Sequence, residues 1–426
     1  MQSAVAPAPG ANPNRSGGTG HRWWLLALLV VSICINYIDR GSVSVAAKGL
    51  SAELGLNAKD LGELFGAFFW TYAGFQMIAG WYIDRHDVYR SYAICFAAWS
   101  IATALTSAAG GFATIFGLRL ALGAAESIAY PAYSKILAAT FPEDERGRAN
   151  AFIDAGSKLG PAFGLVIGGT IVAHYGWRAM FLALGVSSLL WLLPWRVVAP
   201  RNGGYERAHT GECPSILEIF SRRQAWGTFF GLFFANWAWY FMLTWLPQYF
   251  VRERRFSEQL MATYGSLPFW SVAIVATVAG VLSDRWISRG HSVTGVRKTF
   301  VVAGLAGCTV IAFAAVVKDP NVAMSLLVCS AASFGVFSSN HWAITQTLAG
   351  PRAAGKWTGI ENTFGNVAGV LAPYVTGRIV YQTGSFHWAF LTTAGMLVLG
   401  ALSFLLLIPR VEPVTWNTST ESLDRT

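Results

Sequence analysis

Charge is what this chain has least of: 12% of its 426 residues are Asp, Glu, Lys or Arg, about half the share usual in a soluble domain. So few charges cannot cover a water-facing surface of ordinary polarity, and the 54% of hydrophobic residues must meet something other than water. Cysteine is scarce as well. Cys34, Cys95, Cys213, Cys308 and Cys329 form no close pair, which excludes a disulfide framework and a thiolate metal site. His21, His86, His174, His209, His291, His341 and His387 are scattered without ligand spacing, and no nucleophile stands in a motif with a base. Metal chemistry and a membrane enzyme are therefore not expected.

What the chain does have is apolar length. Twelve segments are long enough to cross a hydrocarbon core about 30 Å thick: 23–47, 60–83, 90–109, 112–139, 148–173, 179–198, 224–250, 260–283, 298–317, 321–349, 356–382 and 387–408. The pattern predicts an all-α polytopic membrane protein. The first run, after His21-Arg22, is too long for a signal peptide and reads as a retained helix. Residues 1–21, rich in Pro, Gly, Ala and Asn, read as a disordered cytoplasmic tail, and 410–426 as a second tail.

The net charge of +9 could suggest a polyanion partner, but the positions of the basic residues exclude nucleic acid. If both termini are cytoplasmic, Arg85, Arg90, Arg146, Arg148, Arg196, Arg222, Arg223, Arg285, Arg289, Arg297, Lys298 and Lys356 fall on that side. The opposite side keeps few, among them Lys48, Lys59, Arg178 and Arg252. This is the positive-inside bias, and it places both termini in the cytoplasm.

Within the first span, Asn36-Tyr37-Ile38-Asp39-Arg40 sets a carboxylate beside a guanidinium in an apolar run. A charge at mid-membrane costs about 2.5–3.5 kcal/mol on insertion scales and marks a functional site by default. Asp39 and Arg40 need partners, and the fourth span offers Arg119 and Glu126. Their spacing puts both on one helix face roughly 10 Å apart, with Gly123 between them where a neighbouring backbone can approach. Two acids and two arginines can neutralise one another.

Gly80-Trp81-Tyr82-Ile83-Asp84-Arg85 follows the second span, and Gly280-Val281-Leu282-Ser283-Asp284-Arg285 follows the eighth. The recurrence divides the chain into two six-helix halves, 22–198 and 224–409, joined by a polar linker at 199–223. Parallel half-repeats of this kind belong to transporters whose substrate site lies near the midplane between them. The Asp84-Arg85 and Asp284-Arg285 turns read either as cytoplasmic latches between the halves or as loop caps.

The fifth span carries Asp154, Ser157 and Lys158, then Gly160-Pro161, Gly164, Gly168 and Gly169. Small residues at this spacing allow close helix contact, and Pro161 predicts a kink. Asp154 and Lys158, one turn apart, are expected to pair. The second half is expected to be poorer in buried charge. Its polar residues include Asn236, Ser338-Ser339-Asn340-His341-Trp342 and Glu361-Asn362-Thr363, with Trp342 and Asn362 favoured to face a cavity and His341 read either as a satisfied helix histidine or as a cavity residue.

Taken together these residues resemble the major facilitator superfamily and, within it, the anion:cation symporter family, similar to D-galactonate and hexuronate transporters and to sialin. The likeness rests on Asn36-Tyr37-x-Asp39-Arg40, Gly80-x-x-x-Asp84-Arg85, Arg119-x-x-x-Gly123-x-x-Glu126, Gly160-Pro161 and Glu361-Asn362-Thr363. It implies two pseudo-symmetric six-helix bundles that rock about a central cavity. It implies that Asp39 and Glu126 are protonatable acids, and that Arg40 and Arg119 hold or gate the anion. It also implies that Tyr72, Ser339, Trp342 and Asn362 contact sugar-acid hydroxyls, and Ser157 and His341 are candidate substrate contacts beside them. Two departures bear on the substrate: Ser157 stands where galactonate-like members are expected to have glutamine, and His341 where a small hydroxyl residue is usual. The loop His86-Asp87-Val88-Tyr89-Arg90 also lacks the usual glycine and adjacent basic residue.

The resulting expectation is a monomeric, proton-coupled symporter of the bacterial inner membrane. It would import an organic anion, a sugar acid such as a hexonate, hexuronate or aldarate, with no cofactor beyond the proton gradient and membrane potential. The alternative is a proton-driven exporter of organic anions or drugs, because Gly156-x-x-x-Gly160-Pro161-x-x-Gly164 resembles an antiporter signature. A ligand sensor that transports nothing would not need matched half-repeats.

Overall fold

The computed structural model describes residues 19–141, 143–200 and 214–416. Residues 1–18, 201–213 and 417–426, where the sequence suggests the outer parts of both tails and most of the linker, lie outside the described residues. Among the described residues every regular element is helical.

Eight stretches are long and apolar enough to cross a bilayer: 20–54, 112–137, 149–198, 223–253, 258–288, 293–314, 320–350 and 387–407. The third of these contains two helices, because Gly176 takes φ 79°, a left-handed conformation that breaks the helix and suits glycine. Gly350, at φ 63°, divides the 64-residue helical run Pro320–Thr383 in the same way. With the more polar helices at 58–85, 88–106 and 351–383, the rods number the twelve that the apolar pattern predicts. In chain order they are α1 (Thr19–Leu54), α2 (Ala58–Arg85), α3 (Val88–Thr106), α4 (112–140), α5 (143–175), α6 (177–198), α7 (223–253), α8 (Glu258–Ser288), α9 (293–314), α10 (320–349), α11 (351–383) and α12 (His387–Leu407).

Local chemistry sets several of their features. Asn57 caps α2 by accepting from the Lys59 and Asp60 amides, while Asp60 Oδ2 accepts from the Asn57 amide at 3.0 Å. In α4 the helix is interrupted after Glu126 and resumes at Ala129. Pro131 cannot donate to the Ser127 carbonyl, which accounts for the break. In α5, Pro161 precedes a π-helical turn at Gly164–Gly168, the distortion expected from proline in a helix.

Small residues decide which rods touch. A Cβ on Gly156 would lie 2.7 Å from Ile33 Cγ2, and one on Gly160 would lie 2.6 Å from Tyr37 Cβ. The α5 glycine stripe therefore seats α1 directly against it. Gly123 does the same for α2, whose Phe68 carbonyl and Thr71 hydroxyl occupy the space a side chain would need.

Contacts between the two halves concentrate at the end away from the chain termini. There Gln248 Nε2 donates to the Ser44 carbonyl at 3.5 Å, Arg252 Nη2 donates to Ser51 Oγ at 2.9 Å, and Lys48 pairs with Glu258 at 3.1 Å. The Ser44 hydroxyl also donates to the Thr244 carbonyl. Gly62 and Gly66 of α2 lie against the Pro373 and Val370 carbonyls of α11, and Phe65 meets Trp245 edge-on at 5.1 Å. Nearer the middle, Gln76 reaches α11 and Lys158 reaches Trp239 of α7. Closer to the termini, no hydrogen bond or ion pair joins the halves among the described residues. The end away from the termini is thus held closed by contacts between the halves.

Candidate functional site

Asp39 and Arg40 on α1, and Arg119 and Glu126 on α4, all point into the protein; none is more than 3% exposed. Arg40 Nε donates to Glu126 Oε2 at 3.1 Å, and this is the direct ion pair of the group. The Arg40 guanidinium is enclosed by aromatic faces, 4.3 Å from the Tyr72 ring centre, 4.6 Å from Tyr37 and 5.0 Å from Phe68. Such faces attract a cation by their quadrupoles and hold a planar guanidinium in place.

Arg119 is placed differently from the expected carboxylate pairing. Its Nη1 donates to the backbone carbonyl of Asp39 at 3.4 Å, and its guanidinium lies 5.1 Å from the Phe68 ring centre. The Asp39 carboxylate accepts no hydrogen bond within 3.5 Å, although Thr103 of α3 faces it. Arg40 Nη2, Arg119 Nε and Glu126 Oε1 are also without hydrogen-bond partners. Buried polar atoms normally have partners, and this cluster gathers several idle donors and acceptors in one place. Idle guanidinium N–H groups suit a carboxylate, and an idle carboxylate suits a proton.

Across from this cluster the seam between the halves is polar. Tyr72 stacks on Phe68 at 5.2 Å and faces Arg40. Asn362 Nδ2 donates to Gln76 Oε1 at 3.4 Å, and Tyr240 Oη donates to Asn366 Oδ1 at 2.6 Å. Trp342 is half-buried, its ring 4.2 Å from His341. Tyr72 and Asn362 therefore stand at the junction. Other candidates are occupied locally. Ser157 Oγ donates to the Asp154 carbonyl of its own helix at 2.7 Å. Ser339 Oγ accepts from Asn340 Nδ2 at 3.0 Å and sits beside Gly280 of α8. Lys158 pairs with Asp154 at 3.4 Å, as their one-turn spacing predicts, and its ammonium also lies 5.2 Å from the Trp239 ring centre.

His341 faces inward. Its Nε2 lies 3.7 Å from Glu361 Oε1, and both side chains are essentially inaccessible. The expectation that the second half is poor in buried charge needs correcting here: Glu361 is as deeply buried as Glu126. The rule applied to Asp39, that an ionisable residue within a span marks a site, would have found it.

Of the two Asp-Arg turns, the Asp84 side chain lies outside the described residues. Arg85 lies 4.2 Å from the Trp81 ring centre and donates to the Trp81 carbonyl at 3.2 Å. Asp284 pairs with Arg297 of α9 at 2.7 Å, within its own half. Arg285, like Arg85 and Asp284, is exposed at the end that carries the termini.

Comparison with known proteins bears on the family and the fold. The sequence matches the Major Facilitator Superfamily over residues 29–373, with an overlapping match over 294–425. It is 27% identical to the Probable galactarate/D-glucarate transporter GudP of Bacillus subtilis (strain 168), covering 96% of each chain. It is 28% identical to the D-galactonate transporter of Escherichia coli O6:H1, covering 96% of this chain and 99% of that one. In fold it is similar to a bacterial homolog of the human lysosomal transporter Spinster, solved in an inward-facing and occupied conformation. The TM-score is 0.76 at 17% identity, over 92% of this chain and 97% of that one.

Proposed function

The chain belongs to the major facilitator superfamily, and on that premise we propose that it is a proton-coupled symporter importing a sugar-acid anion across the bacterial inner membrane by alternating access. Its termini are cytoplasmic on this reading, in keeping with the bias of its basic residues. The end at which the halves are tied together then faces the outside. The observation that carries the proposal is the buried Arg40–Glu126 pair at 3.1 Å, beside an Asp39 carboxylate with no hydrogen bond.

A carboxylate entering a low-dielectric cavity needs a fixed cation, and Arg40 in its aromatic cage offers one. Glu126 occupies that cation until it is protonated. Protonation of Glu126 releases the guanidinium for substrate, and bound anion in turn favours the protonated acid, because such coupling is reciprocal. Asp39 and Arg119 form a second acid-arginine set on the same helices. Two protons travelling with one monoanion would carry net positive charge inward, worth about 2.3 kcal/mol per charge for each 100 mV of potential. The names of the relatives support a sugar acid as cargo. The half-buried Trp342, the seam amides of Gln76 and Asn362 and the Tyr240 hydroxyl would meet its hydroxyl groups.

The deciding experiment is uptake of radiolabelled galactonate and galactarate into proteoliposomes under imposed pH gradients and potentials. Concentrative uptake driven by an inward proton gradient supports the reading. Uptake indifferent to both gradients overturns it, and efflux driven by an inward proton gradient would favour the exporter.

A further inference from the structure

His341 and Glu361 belong to different helices, α10 and α11, and meet in the interior of the second half. The Thr345 hydroxyl donates to Glu361 Oε1 at 3.1 Å, whereas Glu361 Oε2 and both ring nitrogens of His341 have no hydrogen-bond partner. The imidazole is stacked on Phe337 at 5.3 Å with an interplanar angle of 8° and is flanked by Phe404 of α12. Neither Lys nor Arg makes an ion pair with Glu361 among the described residues. The charged group that faces His341 from the other half is Lys158 of α5. On α9, Arg297 is engaged by Asp284, Ser283 and the Asn340 amide next to His341.

We propose that His341 and Glu361 form a proton-binding site of the second half, separate from the Asp39–Glu126 cluster and carrying one proton in the state seen here. The charge balance points this way. A Glu361 carboxylate beside a neutral imidazole is a lone buried negative charge. One proton makes the pair neutral whether it sits on oxygen or nitrogen, and neutrality is what a dry interior favours. With the proton on Glu361, the carboxyl becomes a donor for the bare Nε2, and the 3.7 Å gap needs to close by less than about 1 Å to reach hydrogen-bond length. The positive charge of Lys158 facing the ring disfavours imidazolium, so the carboxyl is the better seat.

The pair is also placed to feel conformation. Asn362, the residue after Glu361, spans the seam to Gln76 of the first half, and Trp342 follows His341. When the halves part there, α11 loses its tie beside Glu361, and water can reach the carboxyl and take over stabilising its charge. Proton occupancy is thereby linked to the seam. This deepens the proton-coupled reading and rests on it for the transport consequence, but not for the binding itself.

The test is an infrared difference titration of the purified full-length protein from about pH 5 to about pH 9, following the carbonyl stretch of protonated carboxyl groups. The expected result is a titrating carboxyl band that survives in Glu126→Gln and is lost in Glu361→Gln. Spectra of the wild type and Glu361→Gln that titrate identically overturn the proposal. A melting curve establishes that Glu361→Gln is folded. If it is not, Thr345→Val serves instead: removal of the hydroxyl must displace the midpoint of one carboxyl band by about one pH unit, and an unmoved set of bands overturns the site. Uptake that ignored the proton gradient would sink the symport reading and leave this titration intact, so the two failures are distinguishable.

Discussion

Arg40 Nε and Glu126 Oε2 stand 3.1 Å apart in the buried interior, and on each partner a buried polar atom is left idle. A buried ion pair satisfied on one side only can exchange its partner at lower cost than a fully bonded one.

Glu126→Gln should abolish accumulation driven by the proton gradient, because the amide cannot be protonated, while keeping much of the shape of the site. Counterflow exchange at equal pH should persist. Equal loss of both activities in reconstituted vesicles would make Glu126 structural.

Arg40→Lys should weaken substrate binding by about tenfold to a hundredfold, the equivalent of about 1.4–2.8 kcal/mol. An ammonium keeps the charge but loses the planar, two-donor face and its fit among Tyr37, Phe68 and Tyr72. Calorimetric titration with a sugar acid checks this; an unchanged affinity would move the anion site to Arg119.

Gly62 and Gly123 separate conformational from structural packing. Gly62 of α2 meets the Pro373 carbonyl of α11, where a Cβ would lie 2.8 Å away, across the seam that closes the outer end. Gly62→Val should disfavour this closed state and raise labelling of cysteines introduced near Ser51 and Arg252. Gly123 packs against α2 inside its own half. Gly123→Val should instead lower stability in every state, by about 1–3 kcal/mol, read as a drop in melting temperature.

Asp284→Asn removes the 2.7 Å pair with Arg297, yet the Asp284 side chain is 69% exposed. The pair should contribute less than about 1 kcal/mol, and Arg297 retains Ser283 and Asn340. Melting should therefore hardly change. A changed ratio of inward to outward accessibility without a change in melting would identify the turn as a latch; no change in either would make it a cap.

Much of the architecture was legible from local properties. Span length, the Gly-x-x-x-Asp-Arg recurrence and the glycine spacing of the fifth span each follow from short stretches of chain, and Pro161 predicted its own kink. The choice of partners was less legible. Two acids and two arginines were expected to share one cluster, but that Arg119 hydrogen-bonds the Asp39 backbone carbonyl and not its carboxylate could not be read from spacing. Ser157, a candidate contact, satisfies itself on its own helix. Glu361 as a buried acid was within reach of the rule applied to Asp39, but its meeting with His341 was not, because the two lie on helices separated by the break at Gly350.

What the sequence by itself determined, then, is which residues must leave water and which ionisable groups go in with them, since transfer cost is a property of each residue and its near neighbours. Which acid meets which base, and which end of the bundle is closed, was decided only by the tertiary structure. Those outcomes depend on how rigid rods rotate and lean against one another, and a shift of about an ångström is enough to exchange one partner for another.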